Sequence, residues 1–259
     1  MTSSTADTDL RVRQHFDHQA DLYTDVHRPK HISICRERIR LLKQEAPIAS
    51  GEPRLLDIGC GAGYLADEFL RQYPKGRALG FDLSTEMLSR NALMGNKVLF
   101  VADARAIPLR GVQFDLINFD AVLHHVIDGR GYRATIQGVT ELLASLRAQL
   151  TPTGTIMIRE IYHEMWLWKS LGCRLVHMVS STQLPGFMAG ILRAIGIKTA
   201  NVGVCFLTRD QWQKVFLNSG LEVVSKRDER WPSPLRFLGF RNSGEVYYFL
   251  KVAASRDAC

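Results

Sequence analysis

The stretch that decides the fold is LLDIGCGAGYLADEF, residues 55–69. It begins as a short apolar run, passes through glycines at 59, 61 and 63, and ends in residues with helical spacing. That order predicts a buried strand ending at Asp57, a tight turn, and a helix opening near Tyr64. Glycines in such a turn accept a positive φ and let a ligand press against bare main chain. The first amides of the helix then face that ligand. The spacing narrows the ligand's chemistry. A dinucleotide fingerprint needs G-x-G-x-x-G, with its third glycine where this chain has Tyr64. Here the pattern is G-x-G-x-G, and a carboxylate, Asp57, stands just before the turn. A carboxylate there suits a cationic amino group better than a pyrophosphate.

Working outward, RLLDIG, RALGFDL, KVLFVAD, FDLINFD and GTIMIRE each read as a buried strand. Helical patterns over 64–72, 84–92 and 133–149 fall between them. Strands alternating with helices imply a parallel sheet with right-handed crossovers. Two helices are expected upstream, from Leu10 to about Tyr23 and from about His31 to Glu45, followed by the loop APIASGEP. Downstream, residues 161–206 show no clear strand, and a helix over Thr208–Asn218 leads into two more strands, LEVVSK and EVYYFLKVA.

Composition sets wider bounds. A chain of 259 residues with 46% hydrophobic and 23% charged residues suits one globular α/β domain, with or without an insertion. A net charge of +7 permits an anionic substrate, nucleic acid or acidic membrane without requiring any. The five cysteines are scattered and contain no C-x-x-C pair, so neither a disulfide framework nor a zinc site is expected. The polar start MTSSTADTDL and the lack of an apolar run of about 18 residues point to a cytoplasmic protein.

The segment Asp57-x-Gly59-x-Gly61-x-Gly63 resembles the first motif of class I S-adenosylmethionine (SAM)-dependent methyltransferases. Three further motifs follow in order: Asp82 ending the second strand, Asp103-Ala104 after the third, and FDLINFDAVLHHV through the fourth. The resemblance covers roughly residues 50–160 and 207–252. It implies an α/β, Rossmann-like doubly wound, mostly parallel seven-stranded sheet with its last strand antiparallel, N-terminal helices and a helical cap insertion. The expected parts are helices or a lid over 1–48, the cofactor core over 49–160, a substrate cap over 161–206 and the rest of the core over 207–259. It also implies that SAM binds, and S-adenosylhomocysteine leaves, with the methionine portion along Asp57, Gly59, Cys60, Gly61 and Gly63. Asp82 would take the ribose hydroxyls, with Leu83 and Met87 beside it. Asp103 and Ala104 would meet the adenine, and Phe119 would back the site. Near the N-terminus, HFDHQADLYTDVHRP is similar to the lead-in helix of the ubiquinone- and menaquinone-pathway branch, where an aromatic such as Tyr23 closes over the methionine end.

Methyl transfer from a sulfonium is an in-line displacement, so the protein mainly aligns the acceptor and excludes water. A base is needed only for a protonated acceptor. His124 and His125 leave the fourth strand where such a base belongs, although the pair also suits a helix start or packing beneath the cofactor. Glu160, with Tyr162 and His163, leaves the fifth strand on the same edge; Glu160 is a candidate to orient a substrate hydroxyl or a plain helix start. Trp166, Trp168, Met178, Phe187 and Met188 suit an apolar substrate pocket, a cover for the sheet or a dimer contact.

The expected reaction is therefore methylation of an oxygen or carbon atom on a small, apolar or amphiphilic metabolite by a monomer or homodimer. RNA methylation is the runner-up, because SKRDERWPSPLRFLGFRN mixes five cations with aromatic residues. Against base methylation, the turn after the fourth strand reads Asn118-Phe119-Asp120-Ala121 rather than N/D-P-P-Y/F, and no Pro-Cys pair exists. A non-catalytic SAM-binding subunit remains a third reading.

Overall fold

Seven strands form one sheet: β1 (Arg54–Ile58), β2 (Arg77–Asp82), β3 (Lys97–Val101), β4 (Phe114–Asp120), β5 (Leu150–Met165), β6 (Leu221–Trp231) and β7 (Phe240–Val252). Their spatial order is β3-β2-β1-β4-β5-β7-β6. The first five pair in parallel, and β7 runs antiparallel between β5 and β6. The computed structural model describes residues 5–91, 95–107, 109, 111–166, 168–182, 185–194, 199, 201–232 and 240–254.

Apolar residues alternate between two buried faces, which is why the strands read as continuous hydrophobic runs. On one face Leu55, Leu116, Met157 and Phe249 pack against α2 (Arg28–Glu45) and α3 (Tyr64–Gln72). On the other Leu56, Ile117, Ile158 and Leu250 pack against α5 (Tyr132–Leu146) and α8 (Arg209–Asn218). The doubly wound architecture follows directly from this alternation.

Between β1 and α3, Gly59, Gly61 and Gly63 all have positive φ, at 68°, 53° and 75°. A Cβ on Gly63 would come within 2.7 Å of Leu99 Cδ1, so both conformation and space require glycine there. After β2, Ser84 caps α4 (Thr85–Ser89) by accepting from the Met87 amide at 3.0 Å.

Three details differ from the sequence reading. β5 begins at Leu150, so Pro152 and Gly154 lie within the strand at an irregular register with β4 instead of forming a turn before it. β5 also continues to Met165, because β7 supplies antiparallel partners along its whole second half. Beyond it come α6 (Lys169–Ser181) and α7 (Gly186–Ala194), where Trp166, Trp168, Met178, Phe187 and Met188 are exposed and none lines the cavity at the sheet edge. Among the described residues no helix is long and apolar enough to cross a membrane, and no cluster suited to a metal ion is present. Cys35, Cys60, Cys173 and Cys205 are free thiols.

Candidate active site

A cavity of about 390 Å³ opens at the C-terminal ends of β1, β2 and β4. Open α/β sheets bind ligands at this edge, where the strand order reverses direction. Its floor is the glycine loop, with Asp57, Gly59, Cys60 and Gly61 on the wall. Asp82, Leu83 and Met87 follow from β2 and α4, Asp103 and Ala104 from the end of β3, and His124 and His125 from the turn after β4. The roof is α1 (Thr5–Asp21) and a π-helical turn, Leu22–Val26, which contribute Val12, Phe16 and Tyr23.

Of the residues expected at the site, Gly63, Phe119 and Glu160 do not reach the cavity wall. Gly63 is the N-cap of α3, and Phe119 points into the core beneath the sheet. Glu160 is completely buried, so it does not touch a substrate hydroxyl. Its Oε1 accepts from the Leu123 amide at 2.7 Å and its Oε2 meets His124 Nδ1 at 2.7 Å. As an acceptor on both oxygens, the carboxylate places the ring proton on Nδ1 and leaves the lone pair on Nε2. His124 itself lines the cavity. Its ring is further held by Phe206, with centroids 4.9 Å apart, and its carbonyl accepts from the Cys205 amide at 2.8 Å. Residues 205–206 thus buttress this histidine from behind, and among the described residues of 161–206 only Ile161 lines the cavity.

His125 is the poorer base. Burial, with His124 and His15 nearby, holds it neutral far below the ordinary imidazole range. Its ring packs edge-on against Phe16 of α1 at 5.3 Å, and its Nδ1 is buried without a partner among the described residues.

The acids are held in distinct ways. Asp82 accepts from the amides of Gly61 at 2.8 Å and Ser84 at 2.9 Å; burial still raises its pKa above the ordinary carboxylate value. Burial pushes Asp57 up to about 7, although Asn118 Nδ2 donates to it at 2.6 Å. Burial would raise Asp103 too, but the Arg105 guanidinium and amide outweigh it and hold the carboxyl low. Arg105 also pairs with Asp9 of α1, and Ser84 donates to Asp17, so the roof is tied to the cavity beside two of these acids.

Sequence reasoning missed a charged chain along one wall. Arg38, completely buried on α2, pairs with Asp120 and donates to Asn118; Arg159 pairs with Asp120 and Glu245. Arg38 Nε has no partner among the described residues. Asp120 lies within the strand motif FDLINFD and carried a usable signal. Arg38 sits in the charged run RERIR, which reads as a solvated helix face and gave none.

The residues present fit a cofactor with an amino group, a ribose and a base. Bare glycine backbone, an acid at the C-terminal end of each of the first two strands and the buried Arg38 and His125, each with an unpartnered nitrogen among the described residues, all line one cavity. A methyltransferase-domain family profile matches residues 27–226. The chain belongs to this family. It is a class I SAM-dependent methyltransferase. It is 28% identical over 212 residues to a malonyl-[acyl-carrier protein] O-methyltransferase of Halalkalibacterium halodurans, covering 78% of this chain and 68% of that protein. It is 28% identical over 127 residues to a ubiquinone biosynthesis O-methyltransferase of Rhodopseudomonas palustris, covering 48% and 44% of the two chains. The fold is shared with a SAM-dependent methyltransferase from Leishmania major at a TM-score of 0.60 and 16% identity, covering 95% of this chain and 82% of that one.

Proposed function

We propose that this methyltransferase transfers its methyl group to a hydroxyl oxygen of a small, apolar or amphiphilic molecule, with His124 as the general base. The observation that carries the reading is the buried His124–Glu160 pair at the cavity wall, with Nδ1 engaged at 2.7 Å. A carboxylate behind the ring fixes the tautomer that accepts a proton through Nε2. Phe16, Tyr23, Val126 and Ile161 give the cavity a carbon-rich lining that favours an apolar acceptor. Both named relatives are O-methyltransferases, which supports oxygen as the acceptor atom.

When bound, the cofactor supplies an electrophilic methyl group on a sulfonium. Asp57 would hold its amino end, Asp82 would accept from its ribose, and Asp103 with Ala104 would meet its base. His124 removes the hydroxyl proton as the oxygen becomes nucleophilic, and Glu160 stabilises the resulting imidazolium as a positioning residue. α1 and the π-helical turn exclude water from the reacting atoms.

The test is a radiolabelled methyl-transfer assay on a panel of phenols, alcohols and carboxylic acids with apolar tails. Hydroxyl acceptors should be methylated, and His124→Ala should lower kcat by about 10²- to 10⁴-fold with cofactor affinity retained. Turnover of carboxylic acids alone, at a rate indifferent to His124, would remove the base from the reaction.

A further inference from the structure

Parallel strands carry the cavity wall outward from the glycine loop. Asp57 stands near the end of β1, Asn118 and Asp120 follow on β4, and Arg159 lies opposite Asp120 on β5. Neighbouring strands are about 4.8 Å apart, so Arg159 stands two strands, or about 10 Å, to the side of Asp57. Side chains alternate along β5. Glu160 turns to the face that backs His124, while Arg159 and Ile161 lie on the other face and line the cavity.

Two carboxylates clamp the Arg159 guanidinium. Asp120 of β4 takes Nε and Glu245 of β7 takes Nη1, leaving Nη2 without a partner among the described residues. The other oxygen of Asp120 pairs with the completely buried Arg38, so both of its oxygens are occupied. Charges along this wall balance: Arg38 and Arg159 stand against Asp120 and Glu245. Burial holds His31, on the same wall, below its ordinary imidazole value, so it adds no charge. An anion would find no unbalanced cation here to offset its loss of water. The group that fits Nη2 is a neutral oxygen that accepts a hydrogen bond and brings no proton of its own.

We infer that Arg159 is a specificity-determining residue whose Nη2 donates to a neutral carbonyl oxygen of the acceptor, as in a ketone, ester or amide. Resting on the hydroxyl-acceptor reading above, this contact holds a second point of the molecule whose hydroxyl meets His124. A fork already fixed by two carboxylates gives up little further rotamer freedom when it binds. Phe16, Tyr23 and Ile161 in the same cavity suit the carbon frame of such a molecule.

The experiment is isothermal titration of the full chain, saturated with S-adenosylhomocysteine, with three probes that share one short alkyl tail. They are an aryl methyl ketone, the hydrocarbon with methylene in place of the carbonyl, and the aryl carboxylate. None carries a hydroxyl, so the result does not depend on methyl transfer or on His124. The wild type should bind the ketone about 10- to 100-fold more tightly than the hydrocarbon, the scale of a hydrogen bond from a charged donor. The carboxylate should bind no more tightly than the ketone. Arg159→Lys keeps a cation between Asp120 and Glu245 but loses the fixed fork, and should reduce the ketone preference to about threefold or less. Its affinities for the hydrocarbon and for S-adenosylhomocysteine should be unchanged. Infrared difference spectra of the ketone bound to the wild type need no variant, and its carbonyl band should lie at lower frequency than in hexane. Equal wild-type affinity for ketone and hydrocarbon, or an unshifted band, overturns the proposal. So does a ketone preference that survives in folded Arg159→Lys, or tighter binding of the carboxylate. Weaker S-adenosylhomocysteine binding in that variant overturns it too, by assigning Nη2 to the carboxylate of the cofactor. Methyl transfer that is indifferent to His124→Ala removes the base and leaves these binding results standing.

Discussion

If Asp57 faces the ammonium of the cofactor, the protein must ionise that acid in order to bind. Burial holds its pKa at about 7 in the free protein, against an ordinary aspartate near 3.8. Pairing with a cation favours the ionised form, so binding releases a proton wherever the free acid is protonated. With the free acid titrating at about 7 and the bound acid ionised, affinity scales with the ionised fraction of the free acid. The dissociation constant at pH 5.5 should then be about 25-fold weaker than at pH 7.5. The amino group of the ligand stays mostly charged across that window; titrating near 8, it is about a quarter neutral at pH 7.5, which trims the ratio to about 20-fold. Isothermal titration of S-adenosylhomocysteine in two buffers of different ionisation enthalpy measures both the affinity and the proton count. Close to one proton should leave at pH 5.5 and few at pH 7.5. The same shift affects the fold of the free protein. A folded pKa raised above the unfolded one gives stability that is complete below about pH 3.8 and lost as pH rises through about 7, up to about 4 kcal/mol. Cofactor should therefore protect the fold more at pH 7.5 than at pH 5. Asp57→Asn should flatten the binding profile. A flat wild-type profile, or an unchanged slope in the variant, would refute the assignment of the amino end to Asp57.

Four further outcomes follow from the geometry. Glu160→Gln should lower kcat by at least about tenfold with little change in KM, because the ring loses its fixed tautomer. Asp82→Ala should weaken S-adenosylhomocysteine binding by about 10- to 100-fold through lost charge-assisted hydrogen bonds, read by the same titration. Gly63→Ala should cost about 1–3 kcal/mol in urea unfolding, because φ is 75° and Leu99 occupies the space of a methyl. Arg38→Met should cost about 3 kcal/mol or more in the same assay, since Asp120 and Asn118 lose a completely buried partner.

Much of the fold was legible because its signals are local. Each inner strand is a short apolar run closed by a turn residue, and the glycine loop marks one of the connections that line the cavity. The strand order and the antiparallel β7 followed from the resemblance, which the structure bears out. Residues 161–206 were harder for a physical reason: an apolar segment of mixed period says that it is hydrophobic, not whether it faces a core, a substrate or the outside. Within the site, the residues at strand ends were readable because the sheet edge fixes where they stand. Glu160 was expected to leave β5 facing the acceptor, but β5 runs on to Met165 and Glu160 is buried within it. Strand alternation puts it on the same buried face as Ile158 and Tyr162, behind the histidine instead of beside the acceptor.

The roof shows why the remainder escaped notice. Asp9 and Asp17 lie on α1, far in sequence from the core, in a stretch that reads as an ordinary polar helix. Their partners, Arg105 and Ser84, stand next to Asp103 and Asp82 on the cavity wall. No local pattern encodes such a pairing; it exists only once the sheet has brought the ends of β2 and β3 under the helix. Arg105 bridges Asp103 and Asp9, so one guanidinium ties the end of β3 to α1. At the other end of the cavity the ring of Phe16 on α1 packs edge-on against His125, next to His124.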